Sequence, residues 1–172
     1  PDQFTLINSQ DPEIFERSRR ELAYHARILD LMGLDAAAKI QIHVGGVYGD
    51  KENSLARFVE RYRQLEGPVR KRLVIENDDR SYTLSDCLRL HEAISIPVVF
   101  DVLHHLILSS GENLRTALEK TGPTWKKKDG IPMVDYGPPG RKKNKVSHAD
   151  ALDPASFQAF LEESRPWDFD IM

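Results

Sequence analysis

The stretch Leu73-Val74-Ile75-Glu76-Asn77-Asp78-Asp79 joins a short apolar strand to a run of acidic and amide side chains. The pattern recurs, because three further β-rich runs also end in a side chain that can bind a metal ion. These runs are residues 39–44 with His43, residues 97–101 with Asp101, and residues 131–135 with Asp135. Helical patterns lie between them, and strands that alternate with helical segments of about 10–15 residues indicate βαβ units and a parallel sheet.

Local signals set the limits of the remaining elements. Asp11 before Pro12 is typical of a helix start, and Thr83 followed by Asp86 resembles a capping box. The predicted helices begin at Pro12, cover residues 52–65, 83–94 and 112–120, and resume at Asp153-Pro154. The chain opens on the strand-like residues 3–7 and closes on an apolar strand signal at residues 169–172. A domain rarely stops inside a core strand, so we expect a fragment of a larger fold.

Two α/β architectures remain, an open doubly wound sheet and a (β/α) barrel. Neither GxGxxG after the first strand nor GxxxxGK[ST] anywhere occurs in the sequence, so the common nucleotide-binding loops are unsupported. The polar strand ends favour the barrel, because barrel active sites lie at the carboxyl ends of the strands. The predicted fold class is therefore an α/β (β/α) TIM barrel, partial in this chain, as one domain over residues 1–172.

Potential metal ligands collect at that rim of the predicted barrel. A lone His or Asp at a strand end is usually a turn or cap residue, but four consecutive strands share this feature. Carboxylates mixed with imidazoles suit Zn²⁺, Mn²⁺ or Fe²⁺ better than Ca²⁺. Glu76 and Asp101 are the predicted bridging ligands, and His43, His104 and His148 would complete individual ions. One of the adjacent pair His104 and His105 would lie outside the ligand set, and His105 would point away if His104 points in. We interpret the other candidates as non-ligands, with His25 structural, His91 exposed and Cys87 a small packed side chain.

Charge is unevenly distributed along the 172 residues. The whole chain has a formal charge of −3, yet residues 120–145 hold eight basic residues against two acids. A basic segment on an acidic body suits a polyanionic partner, although a solvated loop explains it equally well. No run approaches the roughly 20 apolar residues of a membrane helix, no signal peptide is apparent, and the single cysteine fits a reducing cytoplasm.

Three motifs carry a resemblance to a known family. The segments His43-Val44-Gly45-Gly46-Val47-Tyr48-Gly49-Asp50-Lys51, Glu76-Asn77-Asp78-Asp79 and Phe100-Asp101-Val102-Leu103-His104-His105 resemble signatures of UV damage endonucleases. The resemblance implies a TIM barrel akin to endonuclease IV with two or three divalent ions, typically Mn²⁺, with Zn²⁺ or Mg²⁺ as alternatives. It also implies nicking of damaged double-stranded DNA immediately 5′ to UV photoproducts and abasic sites, by a monomer without membrane contact.

The resemblance assigns roles to residues at matching positions. It implies Glu76, Asp101 and His104 as catalytic residues, and it places Gln3 and Phe4 where this family wedges into the duplex. From the residues alone, Gln3 and Phe4 would be a simple strand entry, and Tyr48 would either stack on a base or cover the glycine-rich loop. The predicted metal ligands are His43, Glu76, Asp101, His104, Asp135 and His148. The predicted DNA contacts are Gln3, Phe4, Tyr48, Lys51, Lys142, Lys143 and Lys145.

The sequence also departs from the family pattern. Where that pattern has Lys-x-His-Tyr-Ser, with a lysine that can be carbamylated into a ligand, this chain has Met133-Val134-Asp135-Tyr136-Gly137. Asp135 can still bind a metal ion, but Met133 cannot become a carbamate. The binding of a third ion, or its geometry, would therefore differ from the family pattern.

By the resemblance, the chain is the central and later part of a barrel of about eight strands. It lacks the early strands, the C-terminal end and two ligands, so we expect the isolated piece to be inactive. Two other functions remain as alternatives, a metal-dependent sugar isomerase or epimerase on the same barrel and a non-catalytic module that recognises distorted DNA.

Overall fold

A computed structural model describes residues 1–142, 145–148 and 151–172, with the backbone alone for residues 139, 141, 142 and 145–148. The helices are α1 (Pro12–Leu31), α2 (Lys51–Gln64), α3 (Gly67–Arg72), α4 (Leu84–Ile94), α5 (Val102–Ile107), α6 (Leu114–Thr121) and α7 (Pro154–Ser164). The strands are β1 (Ile40–His43), β2 (Leu73–Glu76), β3 (Val98–Asp101), β4 (Met133–Asp135), β5 (Pro139–Lys142), β6 (Lys145–His148) and β7 (Asp170–Ile171). Short 3₁₀ turns cover Gly122–Thr124 and Lys127–Asp129.

Five of these strands form one parallel sheet. Its order is β1-β2-β3-β4-β7, which follows the chain order, and β5 pairs with β6 in a separate antiparallel hairpin. The register pairs His43 with Glu76 and Asp101 with Asp135. Helices connect the parallel strands, so the predicted α/β fold, part of a TIM barrel, is confirmed.

The two faces of the sheet have different environments. Side chains alternate along a strand, so residues two apart share a face. The first set, including Ile75 and Phe100, packs with the helices in the main hydrophobic core. The opposite set, Val74 and Val99 with Met133, forms a small apolar layer against Trp125. This layer lines the inside of the barrel, and the residue two positions beyond each of its strand members is a carboxylate: Glu76, Asp101 and Asp135.

The predicted helix starts are confirmed by their caps. The Asp11 side chain accepts a hydrogen bond from the Glu13 backbone N–H at 2.8 Å. At α4, Thr83 and Asp86 form the reciprocal capping box, in which the Asp86 carboxylate accepts from the Thr83 backbone N–H at 2.9 Å. These caps satisfy backbone donors that the first helical turn leaves without partners.

Several local predictions were wrong. Residues 3–7 form turns instead of a strand, and the Leu6 backbone N–H donates to Ser18 Oγ of α1 at 2.9 Å. The short helix α3, which starts at Gly67-Pro68, was not predicted, although proline is well suited to the first helical turn. The sequence also did not predict α5 or the β5–β6 hairpin. Within the described residues, no helix has the length and apolar character needed to cross a membrane.

Candidate metal centre

The carboxyl ends of neighbouring strands bring two overlapping groups of side chains together. The first group consists of His43, Glu76 and His104, and the second of Glu76, Asp101 and Asp135. Within each group, one nitrogen or carboxylate oxygen per residue lies within 4.8 Å of the others. Glu76 belongs to both groups, so its carboxylate is a side chain that two cations could share.

Glu76 is the centre of this arrangement. It is 4% exposed, and its Oε1 lies 3.1 Å from His104 Nδ1 while its Oε2 lies 3.5 Å from His43 Nε2. Gln41 Nε2 donates a hydrogen bond to the same Oε2. Gln41 lies two residues before His43 on β1 and so shares its face, a signal that the alternation of the strand contained and the sequence interpretation overlooked.

The start of α5 determines where His104 lies. Asp101 is the N-cap of this helix, and its Oδ1 accepts a hydrogen bond from the His104 backbone N–H at 2.6 Å. His104 Nδ1 then lies 3.3 Å from Asp101 Oδ2 and 2.9 Å from the Asn77 carbonyl oxygen. The capping requirement of a short helix therefore places an imidazole beside two carboxylates.

Asn77 is a second residue that the sequence interpretation missed. Its side chain is fully buried and bridges β2 and β3: Asn77 Nδ2 donates to the Asp101 carbonyl at 2.9 Å, and the Asp101 backbone N–H donates to Asn77 Oδ1 at 3.0 Å. This pair of bonds fixes Asp101 relative to Glu76. Its sequence signal is its place in the segment Glu76-Asn77-Asp78-Asp79, directly after Glu76.

The close packing of these groups shifts their pKa values. Burial raises the pKa of Asp101, and the nearby Glu76 carboxylate adds to this, so that it reaches about 7 despite the contacts with His104. Burial would lower the pKa of His104, but its contacts with Glu76 and Asp101 outweigh this and raise it to about 9. Burial likewise opposes ionisation of Glu76, yet its hydrogen bonds with His104 and His43 hold its pKa well below the usual range. The metal-free cluster therefore retains protons near neutral pH.

The donor set fits divalent cations. Two imidazoles and one carboxylate make a mixed nitrogen and oxygen group, of the kind that suits Zn²⁺, Mn²⁺ or Fe²⁺, whereas three carboxylates make an oxygen group that suits Mn²⁺ or Mg²⁺. His43, Glu76 and His104 would hold one ion, and Glu76, Asp101 and Asp135 a second. Met133 packs in the apolar layer below these groups, against Val74, Val99 and Trp125.

Part of the predicted site lies outside the described residues. This is the case for Lys143, and for the side chains of His148, Lys142 and Lys145. Their assigned roles therefore stay predictions.

The N-terminal turn lies beside the candidate centre. Gln3 lines a cleft of about 260 Å³ together with His43 and Glu76, and the neighbouring Phe4 is 60% exposed. Asn8, which is fully buried, joins this turn to the glycine-rich loop because its Nδ2 donates to the Gly46 carbonyl at 2.8 Å. The two segments that carry Gln3, Phe4 and Tyr48 are thus fastened to each other, a connection that no local sequence signal revealed.

Tyr48 and Lys51 have partners within the chain. Tyr48 adopts a positive φ of 52° and lies over Gly46, where an added Cβ would be 2.7 Å from its ring. The Arg57 guanidinium lies 5.3 Å from the Tyr48 ring centroid. Lys51 Nζ forms an ion pair with Asp86 Oδ2 at 2.7 Å. Tyr48 therefore covers the loop, as one interpretation of the sequence held, and DNA contact by either residue stays a prediction.

The remaining histidines and the cysteine lie outside the cluster. His105 is buried and turned away, with Nε2 2.7 Å from the Glu112 carbonyl oxygen, as expected. His25 pairs with Glu21 of the same helix at 3.0 Å. The prediction that His91 is exposed was wrong, because it is half-buried with Nδ1 2.8 Å from the Ile96 carbonyl oxygen. Cys87 is fully buried, which confirms its packing role and raises the pKa of its thiol.

Comparisons with known proteins agree with this geometry. The sequence model of the family described as UV-endonuclease UvdE matches residues 1–172. A UV DNA damage endonuclease of Bacillus cereus (strain 03BB102) is 35% identical over 174 residues, and one of Bacillus mycoides (strain KBAB4) is also 35% identical. Both alignments cover all of this chain and 55% of the relative, so the chain spans about half the length of these curated relatives.

Two solved structures are also similar. The crystal structure of SacUVDE superposes with a TM-score of 0.91 at 42% identity, covering 100% of this chain and 57% of that one. A D-psicose 3-epimerase from Clostridium cellulolyticum H10 superposes with a TM-score of 0.63 at 15% identity, covering 99% of this chain and 60% of the other. The second likeness reflects a shared fold.

Proposed function

This chain belongs to the UV-endonuclease UvdE family, and from that premise we propose that the full-length protein is a metal-dependent DNA repair endonuclease. It would nick the phosphodiester bond 5′ to UV photoproducts and abasic sites in double-stranded DNA. The observation that supports this most strongly is the position of Glu76 in two adjacent groups of metal-binding side chains.

The side chains of the cluster have distinct tasks in this proposal. Divalent ions, when bound, supply a nucleophile from water at neutral pH and neutralise charge on the attacked phosphate. Glu76 would hold both ions, and Asp101 and His104 would fix their positions through the cap of α5. Gln41 and Asn77 would orient Glu76 and Asp101, since outer partners of this kind restrict the rotamers of metal ligands.

We propose Mn²⁺ as the native metal, with two or three ions bound and Zn²⁺ or Mg²⁺ as alternatives. The six proposed ligands are His43, Glu76, Asp101, His104, Asp135 and His148. Support comes from the mixture of imidazole and carboxylate donors in the described part of the cluster.

Recognition of damage is assigned to the N-terminal turn. Phe4 is exposed beside the cleft that Gln3 lines with His43 and Glu76, so it can enter the duplex next to the reacting phosphate. Separation of a damaged base pair costs less than that of an intact pair, because its stacking and pairing are already weakened. Tyr48, Lys51, Lys142, Lys143 and Lys145 are the further proposed DNA contacts, of which the lysines would bind phosphates.

The experiment that tests this function is a nicking assay with the full-length protein. Its substrates are a duplex with one abasic site, a duplex with one pyrimidine dimer and the undamaged duplex, each with Mn²⁺ or with chelator. We expect a single nick on the 5′ side of each lesion that requires the metal. Damage-specific binding without nicking and without bound metal would contradict the enzyme and support the module for distorted DNA.

A further inference from the structure

A cavity lies at the amino ends of the strands, opposite the candidate metal centre. Its volume is about 360 Å³, and its wall includes Lys71, just before β2, and Pro97, just before β3. His43, Glu76 and Asp101 end the same strands at the other side of the sheet. The two places are therefore separated by about one strand length, roughly 10–13 Å.

Three cationic side chains line this cavity. Arg70, Lys71 and Lys128 contribute to its wall and are exposed. Within the described part of the chain, none of the three forms an ion pair. Arg19 and Arg89, by contrast, each pair with a carboxylate at the surface.

The acidic residue on the wall is already neutralised. Asp129 is buried, and its Oδ1 forms an ion pair with Lys39 Nζ at 2.9 Å, with the Lys39 side chain 2% exposed. Lys39 is held further by the Lys71 carbonyl at 3.3 Å and by the Trp125 ring, whose centroid is 5.7 Å away. Because Lys39 cancels the charge of Asp129, the cavity presents the positive charge of its three cations to solvent.

We propose that this cavity is an anion site, separate from the candidate metal centre, which binds a phosphate-bearing ligand. Arginine binds phosphate oxygens in a bidentate manner and lysine adds compact positive charge, so the wall has the chemistry for a phosphate or diphosphate group. The volume lies within the range of small-molecule sites. Part of the basic segment, Lys126-Lys127-Lys128, thus lies at the end of the barrel opposite the metal centre.

The phosphate can come from a free nucleotide-like compound or from the backbone of a DNA duplex. Both sources are tested on the full-length protein in chelator, which prevents binding through metal ions. Inorganic pyrophosphate is titrated by calorimetry, and a labelled undamaged duplex is titrated by fluorescence anisotropy at several salt concentrations.

The test variant is the double substitution Arg70→Gln/Lys128→Gln. The matched control, Arg27→Gln/Arg165→Gln, removes two exposed charges that line no part of this cavity. We expect at least a tenfold loss of pyrophosphate affinity in the test variant alone. If the source is DNA, the slope of log K against log salt for the duplex also falls in magnitude, by roughly 1.8 for two lost phosphate contacts. An unchanged duplex slope identifies a free phosphate compound.

Two results would overturn the proposal: no measurable pyrophosphate binding by the unaltered protein, or equal losses in the test and control variants. Both variants replace exposed side chains, and thermal unfolding with an unchanged Tm establishes that they are folded. The binding measurements are made in chelator, and the metal content of the same proteins, measured separately with Mn²⁺, should stay unchanged, so the outcome here is independent of the nuclease assignment.

Discussion

Buried charged side chains are paired differently at the two ends of the same parallel sheet. At the amino ends, Lys39 pairs with Asp129, and Arg72 pairs with Asp30 at 2.7 Å while also donating to the Leu34 carbonyl. Each buried cation there has one carboxylate partner and further backbone acceptors. At the carboxyl ends, three carboxylates and two imidazoles converge and share their contacts.

This difference separates a structural ion pair from a site prepared for a ligand. Burial alone does not distinguish the two kinds of site, because the side chains of Lys39 and Glu76 are both largely buried. At the amino ends, the buried cations Lys39 and Arg72 each pair with one carboxylate, and their hydrogen bonds are made within the chain. At the carboxyl ends, each carboxylate oxygen of Glu76 contacts an imidazole nitrogen, and protons on such nitrogens can be exchanged for a metal ion. The two ends should therefore respond differently to substitution.

The largest effect is expected from Glu76→Gln, which keeps the size of the side chain but removes the charge that both groups share. Substitution of outer partners of a metal site costs roughly 10–100-fold, and loss of a shared ligand should exceed about 1,000-fold in nicking rate. The measurements are nicking of an abasic-site duplex and bound metal by elemental analysis. Unchanged activity in Glu76→Gln would contradict the bridging role.

The matching substitution at the other end is Asp129→Asn, which leaves the Lys39 ammonium buried without its carboxylate. Breaking a buried ion pair in this way costs about 3–5 kcal/mol of the free energy of unfolding. Denaturant unfolding measures the loss, and bound metal per folded molecule should stay the same. If metal content fell while stability did not, the assignment of the two ends would be reversed.

A smaller effect is expected from Gln41→Leu. The substitution removes the donor to Glu76 Oε2 and puts an apolar side chain of similar size in its place. We expect metal affinity to fall by about tenfold, at the lower limit for an outer partner, with little change in Tm. Calorimetric titration with Mn²⁺ gives the affinity, and Gln3→Leu, in the nearby exposed turn, is the control. Equal Mn²⁺ affinities for Gln41→Leu and the unaltered protein would show that Gln41 does not support metal binding.

The stability of the metal-free protein should change gradually with pH. The folded-state pKa values of Asp101 and His104 are raised, to about 7 and about 9, above ordinary values of 3.8 and 6.5. Their stabilising contribution is therefore complete below those ordinary values and is lost as the pH rises through 7 and then 9. Glu76 acts in the opposite direction, because its pKa is lowered and its contribution is lost in acid.

The expected result is a Tm that declines between about pH 7 and pH 9 in chelator. Added Mn²⁺ should reduce this decline, because metal ions bind the deprotonated ligands. A Tm in chelator that stays constant or rises over this interval would contradict the coupling among these residues.

The sequence predicted the strands and the side chains at their ends because both are local features. Short apolar runs ending in His43, Glu76, Asp101 and Asp135 needed no knowledge of tertiary contacts. The role of Asn77 depends on the distance between β2 and β3, and only the packed sheet determines that distance.

Long-range pairing could not be predicted in the same way. Lys39 and Asp129 are 90 positions apart, and neither lies in a motif. The short helix α5 has six residues, too few for a periodic pattern, yet its cap positions His104. The position of Lys128 at the amino ends of the strands likewise depends on where the chain turns after α6.

In the proposed enzyme, Glu76 is shared by two metal ions at the carboxyl ends of the strands. The most direct measurement is anomalous diffraction from crystals of the full-length protein grown with Mn²⁺. We expect two peaks on either side of the Glu76 carboxylate, one bound by His43 and His104 and the other by Asp101 and Asp135. A density map without peaks at Glu76, from crystals of a protein that nicks damaged DNA, would contradict this shared role of Glu76.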